Sequence, residues 1–288
     1  RELFTGAVEA AGRELRTRAV DASRVRLSDS AEQDLGLQLL RLLSRLASPA
    51  LDLEFATFRA TVQTSLHAIV RRRTAGPHHH VYDRFIAFFR THRAADFFLE
   101  HAALARLIGQ VIEFWIEAKA EFVLRLHADA AALEAVFGGT ALGAVVRIAD
   151  DRSDRHHRGR TVMICAFESG VRVVYKPKSL AAEVGFNALL GSLNELLGRR
   201  WFRVLRHVDR QDHGWVEYVA HRPCAGPEDA RAYYERAGAL LCVLFALEAG
   251  DCHFENIVAD GEYPVLVDAE TVLQGQRDVE RFDGTPSA

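Results

Sequence analysis

Residues 250–270 read GDCHFENIVADGEYPVLVDAE, a polar loop followed by two short apolar runs and an acidic exit. The β-branched runs Ile257 to Ala259 and Val265 to Val267 flank the turn Asp260-Gly261, which predicts two small strands. Asp251 and Asn256 stand five apart in the loop before the first strand, and Asp268 follows the second strand, twelve residues beyond Asn256. Glu270 puts another carboxylate on the same side if the backbone stays extended. Oxygen-bearing side chains ordered in this way suit a hard divalent cation such as magnesium.

Working outward, a phosphoryl transferase also needs a cation on the nucleotide phosphates and a carboxylate near the incoming hydroxyl. Lys176 ends the predicted strand Val171 to Tyr175, the place of the phosphate-pairing lysine in kinases. Glu183, early in the helix predicted from Leu180 to Leu197, stands where the ion-pair partner of that lysine belongs, with Glu195 as a second acid on the same helix. Asp251 and Asn256 have the separation of a kinase catalytic base and its metal-binding asparagine. Taken singly, each residue has a plainer reading. Lys176 and Lys178 can be solvated strand-end charges, Asp251 and Asn256 turn residues, Asp268 an edge-strand end, Glu270 a surface acid, and His253 a packed histidine bonding a carbonyl. Their order along the chain is what makes a phosphotransfer site.

The rest of the chain supplies a frame for it. Up to about Phe137 the periodicity is helical, most clearly in Leu104, Leu107, Ile108, Val111, Ile112, Trp115 and Ile116. A helix through Leu39 to Leu46 is expected to start at a Ser30/Gln33 capping box and stop at Pro49, and Thr74 to His80 reads as a loop. From Leu142 the pattern becomes strands: Ala144 to Ile148, Thr161 to Phe167, the run ending at Lys176, Trp201 to Val208 and Trp215 to Val219, with Ser169-Gly170 as a hairpin turn and a long helix from about Glu228 to Glu248. The expected fold class is α+β, with a helical subdomain over residues 1–140. A kinase-like catalytic core would occupy 141–288: a small β-rich lobe and the start of a large lobe, cut off after the Asp-x-Glu motif. The opening Arg1 and polar ending predict an excised segment of a longer chain.

Composition narrows the class. The 288 residues are 49% hydrophobic and 26% charged with a net charge of −3, enough to bury a core and without the basic excess that nucleic acid or an anionic membrane would call for. No partner of either kind is expected. The four cysteines, Cys165, Cys224, Cys242 and Cys252, form no CxxC pair, which suits a reducing cytoplasm. Only three lysines occur, Lys119, Lys176 and Lys178.

The loop has no HRD sequence, Asp268-Ala269-Glu270 replaces Asp-Phe-Gly, and Arg158-Gly159-Arg160 replaces a GxGxxG run. With GRTVMICAFESGVRVVYKPKSLAAEVGFNALL, GWVEYVAHRPC, YYERAGALLCVLFAL, GDCHFENIVADGEYPVLVDAETVL and the pair Asp154-x-His156, the chain resembles the dehydratase domain of class II lanthipeptide synthetases, the LanM type, from about Leu104 to Leu273. The resemblance implies a lipid-kinase-like fold decorated with helices, in a bacterial cytoplasmic enzyme. It implies that ATP and Mg2+ serve to phosphorylate Ser and Thr of a precursor peptide carrying a leader, after which phosphate is eliminated to leave dehydroalanine or dehydrobutyrine. Carried over by position, it implies that Lys176 binds the nucleotide phosphates and Glu183 pairs with it. Asp251 orients or deprotonates the hydroxyl, Asn256 and Asp268 hold magnesium, His253 and Glu270 support the site, and Asp154 and His156 serve the elimination. The family's zinc-dependent cyclase domain is expected on the remainder of a longer synthetase.

Two rival readings stay open from the sequence. One is a kinase of another substrate without elimination, which would have no use for Asp154 and His156. The other is a pseudokinase-like peptide-binding scaffold, which would have no use for the metal-ligand set.

Overall fold

The computed structural model describes residues 2–20, 27–63, 79–138, 141–150 and 158–272. Two compact units make up the chain, one of residues 1–134 and 140–171, the other of 135–139 and 172–288. The division falls at Val171 because β1 (Val145–Asp150) and β2 (Met163–Phe167) pack with the helices that precede them, whereas composition alone changes near residue 140.

In the first unit the helices are α1 (Thr5–Arg18), α2 (Asp29–Gln63), α3 (His79–Phe88), α4 (Ala94–Glu100) and α5 (Ala102–Leu133). Of the segment Thr74 to His80 expected as a loop, the part up to His78 lies outside the described residues, and His79 and His80 open α3. Pro49 does not end α2, which runs on to Gln63. The reason is burial: Leu35, Leu39, Leu43 and Ala47, spaced four apart, are each at most 1% exposed. Three buried leucines contribute about 1.5–3 kcal/mol apiece, against roughly 3 kcal/mol for an interior proline.

The start of α2 also differs from the expected capping box at Ser30. Ser28 caps instead, its Oγ accepting the Ala31 N–H at 3.2 Å. It is held there because its own N–H donates to Val145 O of β1 at 2.9 Å. The tie to β1 outranks the local sequence signal. β1 and β2 pair antiparallel with Ile148 opposite Cys165, and Met163, Cys165 and Phe167 face inward. After β2, Gly170 takes φ +83°, as a three-residue turn with a left-handed last position requires.

The second unit holds β3 (Arg172–Lys176), α6 (Ala181–Leu196), β4 (His207–Asp209), β5 (Gly214–Glu217), α7 (Pro227–Ala246), β6 (Ile257–Asp260) and β7 (Tyr263–Leu266). β5 lies between β3 and β4 and pairs antiparallel with both, its Trp215 opposite Tyr175 and Val208. Gly214 faces Lys176 at the end of that ladder. A Cβ there would come within 2.8 Å of Val208 O and 2.3 Å of Leu180 Cδ1, so only glycine allows the close approach. β6 and β7 form a separate two-stranded sheet with Ile257 opposite Leu266. Phe186 and Leu190 of α6, Leu240 and Leu244 of α7, and Leu266 of β7 share one buried cluster with Phe202.

The expected strand Trp201 to Val208 shrinks to β4, and α6 explains why. Asn194 Oδ1 accepts the Trp201 and Phe202 N–H groups at 2.8 and 2.9 Å and its Nδ2 donates to Phe202 O. Two turns further back on the same helix face, the buried Asn187 accepts the Leu205 N–H at 2.7 Å. Two asparagines therefore do for this segment what a partner strand would have done. Asn187→Ala should leave the Leu205 N–H buried without a partner and destabilise the chain by about 1–3 kcal/mol, read as a lower denaturant midpoint with an unchanged slope.

Candidate functional site

Lys176 is the last residue of β3 and points to the face opposite the buried Val173 and Tyr175, yet its own side chain is buried as well. It is 4% exposed, which removes the reading as a solvated strand end. Nζ lies 3.1 Å from Glu183 Oε1, donates to Val267 O at 2.9 Å, and stands 3.6 Å from Asp268 Oδ1. Glu183 is equally buried on the first turn of α6, while Glu195 on the same helix is exposed. Glu183 Oε2 has no hydrogen-bond partner among the described residues.

Asp268 and Glu270 both meet Lys178. Its Nζ is 3.4 Å from Asp268 Oδ1 and donates to Glu270 Oε2, and the Glu270 N–H donates to Asp268 Oδ1 at 3.3 Å. The sequence offers Lys178 only as the neighbour of Lys176 across Pro177, and the scarcity of lysine was the signal that marks it. Burial pushes the Asp268 carboxyl up, but the charges of Lys176 and Lys178 and the Glu270 N–H outweigh it and hold the group below the usual range. For Lys178 burial acts downward, and the bond to Glu270 with the charges of Asp268 and Glu183 carries it above its ordinary value.

The catalytic-loop candidates form a second cluster. Asp251 adopts φ +53°, a left-handed conformation uncommon outside glycine. Asn256 Nδ2 donates to Asp251 O at 2.9 Å and Oδ2 at 3.3 Å, and His253 Nε2 lies 3.1 Å from Asp251 Oδ1. His253 Nδ1 accepts the Glu255 N–H at 3.2 Å, which assigns the proton of the neutral ring to Nε2 and points it at Asp251. His253 and Asp251 are exposed, so the carboxylate is at once oriented and accessible. Cys252 packs against the α6/α7 cluster, and burial followed by the Asp251 charge raises its thiol pKa.

Two bonds bind the loop to the Asp268 segment. The Val267 N–H donates to Asn256 O at 2.9 Å, and Thr271 Oγ1 donates to Gly250 O at 2.6 Å. Thr271 carries no motif, and nothing in the sequence singles it out. Lys176, Glu183, Asp268 and Glu270 thus share one set of contacts, Asp251, His253 and Asn256 another, and the backbone joins the two. Asp154 and His156 lie outside the described residues.

The donor set fits magnesium in kind. Asn256 Oδ1 and Asp268 Oδ2 take none of the bonds named above, and both are hard oxygens. Among the described residues no group of three or more His, Cys, Asp and Glu side chains is placed to hold a metal ion, so an ion here would draw its other ligands from phosphate oxygens and water, the usual habit of magnesium. Among the described residues, too, no helix is long and apolar enough to cross a membrane.

A carboxyl with a lowered folded-state pKa stabilises the fold above its unfolded value and loses that contribution as pH falls through the folded one. The thermal midpoint should therefore drop as pH is taken below about 4, and Asp268→Asn should flatten that acid limb, as a pH series of melting curves would register.

Over 125 residues the chain is 35% identical to a protein of Lactococcus lactis subsp. lactis described as "Lacticin 481/lactococcin biosynthesis protein LcnDR2". The match takes in 41% of this chain and 13% of that relative, so the chain spans a small part of its length. A family model described as "Domain of unknown function (DUF4135)" matches residues 101–287, which hold the whole constellation built around Lys176, Asp251 and Asp268. Most of the chain falls within that match, and the chain belongs to the DUF4135 family.

Proposed function

We propose that the second unit is the nucleotide- and metal-handling part of a lanthipeptide dehydratase with a lipid-kinase-like fold, which phosphorylates Ser and Thr of a leader-bearing precursor peptide and then eliminates phosphate. The observation that carries the phosphotransfer reading is the buried contact of Lys176 with Glu183 beside Asp268, joined by the backbone to the Asp251 and Asn256 loop. The peptide substrate is supported by the likeness to a lacticin 481 biosynthesis protein and by the sequence resemblance to class II synthetases.

Within this reading each side chain has a physical task. Glu183 and Val267 O aim the Lys176 ammonium, so the cation that meets the nucleotide phosphates is placed before binding and needs little reorganisation. Lys176 and then Lys178 hold the Asp268 carboxyl below its usual range against the effect of burial, which keeps it available as an anionic oxygen ligand. Asn256 and Asp268 would hold Mg2+, and bound MgATP supplies the phosphoryl group and neutralises charge on it. Asp251, steadied by His253 and Asn256, accepts the proton of the Ser or Thr hydroxyl as its oxygen bonds to the γ-phosphorus and the bond from that phosphorus to the bridging oxygen breaks, with ADP leaving. Elimination then passes the Cα proton to a base, the C–H electron pair forming the Cα=Cβ double bond as the Cβ–O bond breaks and phosphate leaves with its pair. Asp154 and His156 are assigned to that half-reaction from the sequence resemblance.

Calorimetry of the full chain with ATP, with and without Mg2+, tests the phosphotransfer part. Lys176→Ala should weaken binding about 10- to 100-fold through loss of charge-assisted bonds, and Asp268→Asn should remove its magnesium dependence. A folded chain that binds no MgATP, or binding indifferent to both changes, rejects the site and favours a scaffold.

A further inference from the structure

Two of the three lysines, Lys176 and Lys178, converge on one carboxylate oxygen, and they are held there unequally. Asp268 Oδ1 stands 3.6 Å from Lys176 Nζ and 3.4 Å from Lys178 Nζ, and it also accepts the Glu270 N–H at 3.3 Å. The Lys176 side chain is 5% exposed and is bound by Glu183 and Val267 O, so its departure would strand a buried carboxylate. Lys178 binds Asp268 and Glu270 nearer to water, its own side chain 32% exposed and that of Glu270 50%. Ion pairs with this much water around them contribute little, and a four-carbon stem lets the ammonium swing away.

Charge makes the difference matter. Lys176 and Lys178 face Glu183, Asp268 and Glu270, two cations against three carboxylates, so the group as a whole carries one negative charge. A divalent cation at Asp268 overshoots that balance and shares a single carboxylate with two ammonium groups. Repulsion between charges so close is strong in a partly buried site. It is relieved at least cost by moving the ammonium with the weaker hold, which is that of Lys178.

We propose that Lys178 is an exchangeable counter-ion: it holds Asp268 and Glu270 together until a divalent cation binds Asp268, and then lets go of both. Lys176 stays in place through the exchange. The proposal deepens the phosphotransfer reading and rests on its assignment of Asp268 to the metal.

Carbodiimide cross-linking of the full chain tests it, because the reagent joins an ammonium to a carboxylate only where the two touch. Lys119 and Lys176 are 3% and 4% exposed, so Lys178 is the lysine that the reagent reaches. Without divalent ions, mass spectrometry of the digested chain should find Lys178 joined to Glu270 by an amide bond, with loss of water. Mg2+ should lower the yield of that link about 5-fold relative to NaCl of equal ionic strength, the upper end of the worth of a partly exposed ion pair. In Asp268→Asn, whose melting temperature checks that it folds, the link should form and ignore Mg2+. Lys178→Met, measured by calorimetry without nucleotide, should bind Mg2+ about 5-fold more tightly than the unchanged chain. A missing link without metal, a link that Mg2+ does not diminish, suppression that survives Asp268→Asn, or no gain in Lys178→Met would each overturn the proposal. Loss of the link with Mg2+ in a chain that binds no MgATP rejects phosphotransfer and leaves the exchange standing. MgATP binding with the link intact does the reverse.

Discussion

The ion pair between Lys176 and Glu183 is the constraint on which the second unit is organised. Both side chains are almost wholly removed from water, and desolvating two charges is affordable only where geometry and further hydrogen bonds are good. Here the ammonium also binds Val267 O, so a single group ties β3, α6 and the exit of β7. Deleting Lys176 would strip the buried Glu183 carboxylate of its ion-pair partner, at about 3–5 kcal/mol, whereas Lys176 without Glu183 would still have Asp268 3.6 Å away. Gly214 belongs to the same arrangement, since β5 must pass close to Leu180 for Lys176 to sit at the end of the ladder.

A second buried charge braces the small sheet. Asp260 ends β6 deep in the unit, and Arg203 and Arg222 both bind its carboxylate. Arg203 also reaches Glu217 at 2.6 Å, and Glu217 takes Arg206 at 3.0 Å. Burial raises the Glu217 carboxyl, and the bonds from Arg206 and Arg203 override it and leave it lowered. The chain uses arginine for these multi-bond structural pairs and keeps its three lysines for interior or half-buried points where a compact cation is wanted. Lys178 serves both ends of Asp-x-Glu, and the buried Lys119 of the first unit donates to Thr161 Oγ1 and Met163 Sδ.

The two units therefore bury polarity for different purposes. In the second, charges meet partners of opposite sign and hold a loop, a strand exit and a helix start in register. In the first, helices packed on leucine and phenylalanine leave Gln38 Oε1 and Trp115 Nε1 buried without a hydrogen-bond partner among the described residues. The strain at Asp251 belongs to the pattern of the second unit, because Thr271 to Gly250 O and Val267 N–H to Asn256 O grip the loop on either side of it.

From the sequence alone, the helical first half, the run of short strands, the β6/β7 pair and the candidates Lys176, Asp251, Asn256 and Asp268 were legible, because periodicity, turn residues and spacing are local properties of the chain. Glu183 was readable as the partner of Lys176 from its place on the helix, whereas the pairing of Lys178 with Asp268 and Glu270 and the grip of Thr271 on Gly250 came only with the tertiary structure, since each joins residues whose nearness no spacing encodes. The same holds where local signals misled. Ser28 caps α2 because β1 anchors it, α2 passes Pro49 because its leucines are buried, and the Trp201 segment forgoes a strand because Asn187 and Asn194 already satisfy its backbone. Local chemistry set what each segment could form, and packing against distant partners set which of those forms was kept.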